Sequence, residues 1–175
     1  MQSVFSTCAT VMGQTAILTT AVAIEREMGM RRVLLVDDDD KSLLGVKMIL
    51  LRADTEFKDI SVCKDGLQAI DMLKMHPFDL IITDIKMPNM DGMEFIRSAQ
   101  AVPNKPRFII MSGYQNYNVA KEALRYGVRE YLLKPVGRHE LIESVRKIEE
   151  ELIQEELLAS EKTQNTHLHS MLITK

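Results

Sequence analysis

Five short apolar runs, each followed by a turn and a helical pattern, constrain the fold of this chain more strongly than any other feature. The runs at residues 32–36 and 80–83 are almost entirely apolar and therefore predict strands that are buried on both faces. The other three strands are predicted at residues 60–63, 107–111 and 130–133. Because strands that alternate with helices pair in parallel through right-handed crossovers, a doubly wound α/β domain with helices on both faces is expected.

The helices between these strands are predicted from apolar residues that recur at helical spacing. The residues expected to form the apolar stripes are Leu44, Met48 and Leu51 in the first helix (41–52), and Leu67, Ile70 and Leu73 in the second (67–75). A third helix follows Gly92, and a fourth covers residues 118–126 and ends at Gly127.

The last helix begins near Gly137 and does not end where the domain does. Its apolar stripe is Leu141, Val145, Ile148 and Leu152. Acidic residues surround the end of this stripe, so residues 149–175 are predicted to be an acidic helical extension that protrudes and frays in a polar tail from about residue 160. The domain itself is expected at residues 31–148.

Composition excludes several classes of protein. The chain has 175 residues with 46% hydrophobic content, which suffices for the core of one domain. A net charge of -3 and a pI near 5.8 argue against nucleic-acid or membrane-surface binding. Cys8 and Cys63 have no zinc-binding spacing and are interpreted as reduced thiols of a cytoplasmic protein.

The first 24 residues carry no charge and contain several apolar runs, which invites a membrane or targeting interpretation. No basic region precedes these runs, and polar residues interrupt each of them. Met28 and Met30 stand just before the first strand. Residues 1–30 are therefore interpreted as an extension without a folded role.

Polar residues follow four of the five predicted strands at the point where each strand ends. Asp37 and Asp38 follow the first strand, Asp84 the third, Ser112 the fourth and Lys134 the fifth. In an open parallel sheet the carboxyl ends of the strands form the crevice in which ligands bind. These side chains are therefore expected to share one site.

The chemistry of this set indicates phosphoryl transfer. Three carboxylates in one crevice repel each other unless a cation lies among them, and oxygen ligands favour Mg²⁺, with Mn²⁺ as a possible substitute. A lysine and a serine hydroxyl can contact phosphoryl oxygens, and a carboxylate can accept the phosphoryl group covalently.

The ordered motifs of the chain make this interpretation more specific. They are Val36-Asp37-Asp38, Thr83-Asp84-Ile85-Lys86-Met87-Pro88, Met90-Asp91-Gly92, Met111-Ser112-Gly113 and Tyr131-Leu132-Leu133-Lys134-Pro135. With these motifs, the chain from about residue 32 to residue 148 resembles the receiver domain of two-component response regulators. The resemblance implies a flavodoxin-like (βα)5 sheet with strand order 2-1-3-4-5.

The resemblance also implies a role for each site residue. Asp84 would accept a phosphoryl group from the phosphohistidine of a sensor histidine kinase or phosphotransfer protein. Asp37, Asp38, Asp84 and the backbone carbonyl of Lys86 would hold Mg²⁺. Lys134, preceding a cis Pro135, would contact the acyl phosphate, while Ser112 and Tyr131 would act as switch residues. The chain would then be a signalling module and not a turnover enzyme, with at most self-phosphorylation from small phosphodonors and self-dephosphorylation.

The output of such a module stays open at this point. Ser112-Gly113-Tyr114 and the long last helix resemble receivers that precede an AraC-type helix-turn-helix, but the residues after Gly137 are too few for that unit. A partner protein, or a homodimer formed through the fourth helix and fifth strand or through the last helix, is expected instead.

Two other functions compete with the phosphoacceptor. A receiver fold used only for phosphorylation-independent protein binding would carry the same sequence patterns. Asp37-x-Asp39 also imitates the Asp-x-Asp motif of haloacid-dehalogenase-like phosphohydrolases, although Lys41 stands where that family has Thr or Val.

Overall fold

The computed structural model describes residues 30–103 and 105–173, with residues 163–173 described as backbone only. Five strands alternate with five helices along this part of the chain. The strands are β1 Arg31–Val36, β2 Phe57–Cys63, β3 Leu80–Asp84, β4 Arg107–Ser112 and β5 Val128–Leu133. The helices are α1 Asp40–Arg52, α2 Gly66–Met75, α3 Gly92–Ala99, α4 Tyr117–Arg125 and α5 Arg138–Ile173. The extension predicted for residues 1–30 lies, apart from Met30, outside the described residues.

All five strands pair in parallel, in the order β2-β1-β3-β4-β5. The predicted fold class and strand order are therefore confirmed. β3 lies at the centre, and all five of its residues are buried. Its neighbours are in register with it, so that Val36 of β1 pairs with Thr83, and Met111 of β4 pairs with Asp84. This register brings the carboxyl ends of β1, β3 and β4 to the same edge of the sheet.

Side chains that alternate along the strands form a separate core on each face of the sheet. One face packs against α2, α3 and α4, and its core includes Phe95 and Phe108, whose rings meet edge to face at 6.2 Å between centroids. The other face packs against α1 and α5 around Leu35 and Ile82. Two helical layers therefore cover the sheet, as expected of a doubly wound domain.

The predicted apolar stripe of α1 is wrong. Leu44, Met48 and Leu51 lie on the outer side of the helix, with Leu44 62% exposed, whereas Leu43, Val46 and Leu50 face the sheet. Both sets recur at helical spacing, because α1 carries apolar residues at most of its positions. Spacing alone therefore could not select the buried side, which depends on the contact with the sheet.

The predicted stripe of α2 is only partly correct. Leu73 is buried, but Leu67 is 51% exposed, and Gly66 and Ala69 lie on the buried side of the helix. Glycine and alanine are weakly apolar, so the spacing of apolar residues does not identify them as buried. They nevertheless allow the helix to approach the sheet most closely. The apolar residues of α3 are buried as expected, including Phe95, Ile96 and Ala99.

Ion pairs hold α5 against the amino-terminal end of the sheet well beyond its apolar stripe. Arg31 of β1 is 4% exposed and binds Glu156 with two bonds of 3.0 Å, as well as Glu56 at 2.8 Å. Arg107 of β4 binds Glu155, and Arg129 of β5 lies 3.1 Å from Glu151. The helix therefore lies along the domain to about residue 156 instead of protruding after residue 148.

The backbone of α5 remains helical to Ile173, past the point near residue 160 where fraying is predicted from the polar sequence. Among the described residues, no helix combines the length and the apolar character that crossing a membrane requires.

Gly92 is the residue at which the loop after β3 passes closest to the strand itself. A Cβ atom at this position would lie 2.1 Å from the backbone oxygen of Asp84, and the Gly92 N–H donates to the oxygen of Ile85 at 2.8 Å. Asp91 then caps α3 through a capping box with Glu94. This tight return places the start of α3 against the backbone of Asp84.

We predict that Gly92→Ala lowers the free energy of unfolding by about 3 kcal/mol or more, because backbone atoms of β3 must move to admit the methyl group. Gly45→Ala is the control, since nothing lies within 4 Å of a Cβ there and an alanine inside α1 should add about 0.5–1 kcal/mol. Urea unfolding of the two variants measures the difference. Equal stabilities would contradict the tight return at Gly92.

Candidate functional site

The carboxyl ends of β1 and β3 bring two aspartates together at the centre of the sheet edge. Asp84 is the last residue of β3, and Asp37 follows the last residue of β1. Both are buried among the strand ends, Asp37 completely and Asp84 with 8% exposure. Charged carboxylates are rarely buried to this extent unless other groups compensate their charge, so the partners of these two residues define the site.

Asp37 accepts hydrogen bonds on both of its oxygens. The backbone N–H of Asp39 donates to Oδ1 at 3.0 Å, and the Ser42 hydroxyl donates to Oδ2 at 2.6 Å. Lys134 Nζ also lies 2.6 Å from Oδ2. The carboxylate is therefore fixed in one orientation.

Asp84 accepts hydrogen bonds from its own loop. The N–H groups of Ile85 and Lys86 lie 2.6 Å and 3.4 Å from Oδ1. Lys134 Nζ contacts Oδ2 at 2.7 Å. The loop therefore holds Oδ1, and Oδ2 faces Lys134.

Lys134 joins the two buried carboxylates. Its Nζ lies 2.6 Å from Asp37 and 2.7 Å from Asp84, and its backbone N–H donates to the oxygen of Ser112 at 2.8 Å. Burial by itself lowers the pKa of Lys134, but the hydrogen bonds and charges of Asp37 and Asp84 outweigh it and raise the pKa above its ordinary value of 10.5. The lysine therefore remains a cation. The Lys134–Pro135 peptide bond is cis, as the resemblance implies.

The site has the donor set of a Mg²⁺ site. One oxygen from each of Asp37, Asp38 and Asp84 lies within 4.8 Å of the others, and Asp38 is exposed at the rim. Lys134 offsets one of the three negative charges, so a divalent cation would balance the rest. Carboxylate oxygens with solvent access on one side suit a hard ion that keeps part of its water shell.

Ser112 and Tyr131 meet at a single backbone oxygen. The Ser112 hydroxyl donates to the oxygen of Tyr114 at 3.1 Å and accepts from the Tyr114 N–H at 3.2 Å. The Tyr131 hydroxyl donates to the same oxygen at 2.9 Å. Lys86 Nζ lies 4.0 Å above the Tyr114 ring, which connects this loop to the loop after Asp84. The two predicted switch residues are therefore linked through Tyr114.

The structure places the remaining acidic residues of the first loop, Asp39 and Asp40, outside the site. Asp39 is the N-cap of α1 and accepts from the N–H groups of Lys41 and Ser42. Asp40 pairs with Lys64 at 2.7 Å on the surface. The Asp-x-Asp imitation thus lacks a second carboxylate directed at the site.

Ser42 belongs to the site but is absent from the predicted set. A serine in the first turn of a helix carries no distinctive sequence signal. Its position five residues after Asp37, just past the N-cap Asp39, is the only feature that could have suggested a contact with that carboxylate.

Comparison with known proteins identifies relatives for most of the described chain. A sequence profile of the response regulator receiver domain family matches residues 33–146. The uncharacterized transcriptional regulatory protein YesN of Bacillus subtilis is 35% identical over 138 residues, which are 79% of this chain and 35% of YesN. The transcriptional regulatory protein HptR of Staphylococcus aureus is 32% identical over 112 residues, which are 64% of this chain and 44% of HptR. The chain therefore spans less than half the length of these relatives.

Solved structures give the same result. A CheY-like response regulator receiver domain protein of Methanospirillum hungatei has a TM-score of 0.65 at 27% identity, over 72% of this chain and 98% of that protein. The receiver domain of the Francisella response regulator 1452 has a TM-score of 0.63 at 27% identity, over 70% of this chain and 98% of that domain. Both structures align with this chain over almost their whole length.

We predict that Lys134→Met lowers the free energy of unfolding by about 1–3 kcal/mol at neutral pH, since two buried carboxylates lose a charged donor. Because the folded pKa of Lys134 is raised, its contribution is complete below pH 10.5 and is lost as the pH rises through the folded pKa. The difference between wild type and Lys134→Met, measured by urea unfolding from pH 7 to pH 11.5, should therefore shrink above pH 10.5.

Lys74→Met is the control for this series, because Lys74 forms an exposed pair with Asp71 at 2.9 Å. Its cost should be below about 1 kcal/mol. A Lys134→Met cost that matches this control would contradict the bridging role of Lys134.

Proposed function

Because the chain belongs to the response regulator receiver domain family, we propose that Asp84 accepts a phosphoryl group from the phosphohistidine of a sensor histidine kinase or phosphotransfer protein. The observation that carries this proposal is the bridge formed by Lys134, which places one ammonium group 2.6 Å from Asp37 and 2.7 Å from Asp84. Residues 31–148 would be the receiver, and the residues from 149 onward its acidic helical extension and polar tail.

The proposed reaction is an in-line transfer to Asp84. A carboxylate oxygen of Asp84 forms the new bond to phosphorus while the phosphorus–nitrogen bond of the donor breaks, and the electron pair of the broken bond stays on the imidazole nitrogen. Oδ2 lies on the lysine side of the carboxylate, whereas Oδ1 is held by the N–H of Ile85. Lys134 is placed to contact the oxygens of the arriving phosphoryl group.

Receiver domains of this family bind Mg²⁺ at an acidic aspartate cluster, and Asp37, Asp38 and Asp84 provide one. When bound, the ion would neutralise negative charge on the transferring group. Asp38 would hold it from the exposed rim, Asp37 from the buried side, and the backbone carbonyl of Lys86 would complete the protein ligands.

The response to phosphorylation would begin at Ser112. Its hydroxyl donates to Tyr114, so donation to a phosphoryl oxygen would require it to leave that carbonyl. Tyr131 binds the same carbonyl at 2.9 Å, and a displaced loop would therefore change its position. The surface formed by α4 and β5 would pass the change to a partner or to a second copy of the chain.

The positions of Asp37 and Asp39 support the phosphoacceptor over the phosphohydrolase alternative. Asp37 is completely buried, and the Asp39 carboxylate is occupied as the N-cap of α1. The two carboxylates are therefore not placed to act as a pair on a small phosphate ester. The other alternative, a receiver that binds a partner without phosphorylation, is tested by labelling with acetyl phosphate.

We place the module in the cytoplasm, where its proposed kinase would present the phosphoryl group. We infer a protein contact as its output.

We predict that incubation with acetyl phosphate and Mg²⁺ adds one alkali-labile phosphoryl group to wild type and none to Asp84→Asn, as measured by intact mass. Asp91→Asn is the matched control, because Asp91 follows in the same loop but caps α3. EDTA or Asp38→Asn should reduce the labelling strongly, whereas Asp40→Asn should not, since Asp40 pairs with Lys64 outside the site. A label that persists in Asp84→Asn would exclude the assigned acceptor.

We predict that phosphorylation shifts wild type toward a dimer in light-scattering measurements, and that Asp84→Asn shows no shift. Leu124→Glu on α4 should prevent the dimer if α4 and β5 form it, and Leu157→Glu should do so if α5 does. Both leucines are more than half exposed, so neither substitution disturbs the core. A monomer at every concentration, with and without acetyl phosphate, would exclude dimerisation as the output.

A further inference from the structure

Three donors hold the Asp37 carboxylate in the described structure, and the Ser42 hydroxyl is the side-chain donor among them that has no role in the reaction proposed above. The N–H of Asp39 donates to Oδ1 at 3.0 Å, while Lys134 and the Ser42 hydroxyl each lie 2.6 Å from Oδ2. A carboxylate offers about four acceptor positions. Those described contacts leave about one position for a metal ion or for a water molecule bound to it.

The local fold fixes the position of Ser42. Asp39 caps α1 and accepts from the N–H of Ser42 at 3.3 Å. The N–H of Asp39 in turn donates to Asp37. Asp37, Asp39 and Ser42 therefore form a closed set of hydrogen bonds, in which the helix cap determines where the serine hydroxyl lies.

The Asp37 carboxylate is completely buried, and the lysine that contacts its Oδ2 also contacts Asp84. A second donor to Oδ2, the Ser42 hydroxyl, therefore matters for the orientation of Asp37. Without the hydroxyl, Lys134 and the N–H of Asp39 would alone set the angle of the carboxylate. Any movement of Lys134 toward a phosphoryl group would then release one side of Asp37. The hydroxyl keeps that oxygen in place independently of the lysine.

We propose that Ser42 is a positioning residue that orients the Asp37 carboxylate for the divalent cation. This inference rests on the metal site of the proposed function and adds to it a residue that does not itself bind the ion. Groups that hydrogen-bond to metal ligands typically change metal affinity by about 10-fold to 100-fold when they are removed. The hydroxyl of Ser42 should have an effect of this size.

The experiment compares Ser42→Thr, which keeps the hydroxyl, with Ser42→Val, which has nearly the same shape without it. Mn²⁺ binding to the full chain is measured by electron paramagnetic resonance, with Mg²⁺ competition as a second measurement. We expect Ser42→Thr to bind Mn²⁺ within about 3-fold of wild type and Ser42→Val to bind about 10-fold to 100-fold more weakly. Ser144→Ala is the control, because Ser144 is buried in α5 and donates to the oxygen of Glu140 away from the site.

Thermal unfolding in EDTA separates positioning from a purely structural role. Equal Mn²⁺ affinities for Ser42→Thr and Ser42→Val would overturn the inference, whether or not the valine variant unfolds at a lower temperature. If Ser42→Val does not fold, Ser42→Ala takes its place under the same expectation. If wild type accepts a phosphoryl group and binds Mn²⁺, and Ser42→Val binds Mn²⁺ equally well, only the role of Ser42 is excluded. If wild type binds no Mn²⁺, the proposed metal site is excluded as well.

Discussion

The ammonium group of Lys134, held between two buried carboxylates, is the interaction on which the rest of the site depends. Asp84 ends β3 and Asp37 follows the end of β1, and the parallel register of these two neighbouring strands brings the carboxylates close together. Two buried carboxylates at this distance would disfavour folding without a cation between them. Lys134 supplies that cation from the position just after β5, which lies two strands away from β3. It thus connects the centre of the sheet to its edge.

The loops around the site are closely constrained as well. Gly92 lets the loop after β3 return against the Asp84 backbone, and the N–H of Ile85 fixes one oxygen of Asp84. Asp39 caps α1 and brings Ser42 to Asp37. Each device orients a carboxylate before any ligand arrives. A phosphoacceptor benefits from such preorganisation, because its groups need little rearrangement during transfer.

The two ends of the sheet have different roles. Acidic residues and one lysine occupy the carboxyl end, whereas arginines from β1, β4 and β5 occupy the amino end and bind acidic residues of α5. These ion pairs direct α5 along the sheet beyond its last buried apolar residues. If the proposed function is correct, phosphorylation takes place at the carboxyl end of the sheet, whereas α5 is held at the amino end. β5 reaches both ends, because Lys134 follows it at the carboxyl end and its Arg129 pairs with Glu151 of α5 at the amino end.

The sequence determined the fold class, the strand order through its resemblance, and the identity of most residues at the site. Apolar strands have a strong pattern because burial on both faces requires it, and the polar residues that follow them must meet at one edge of a parallel sheet. The positions of Asp37, Asp84, Ser112 and Lys134 could be predicted for this reason. Only the tertiary structure decided which side of α1 is buried, since Leu43, Val46 and Leu50 compete with an equally periodic set. It also decided that α5 lies against the sheet through Arg31, and that Ser42 reaches Asp37. These contacts join residues whose relative orientation depends on how a helix rotates and packs, and periodicity along a single segment does not determine that orientation.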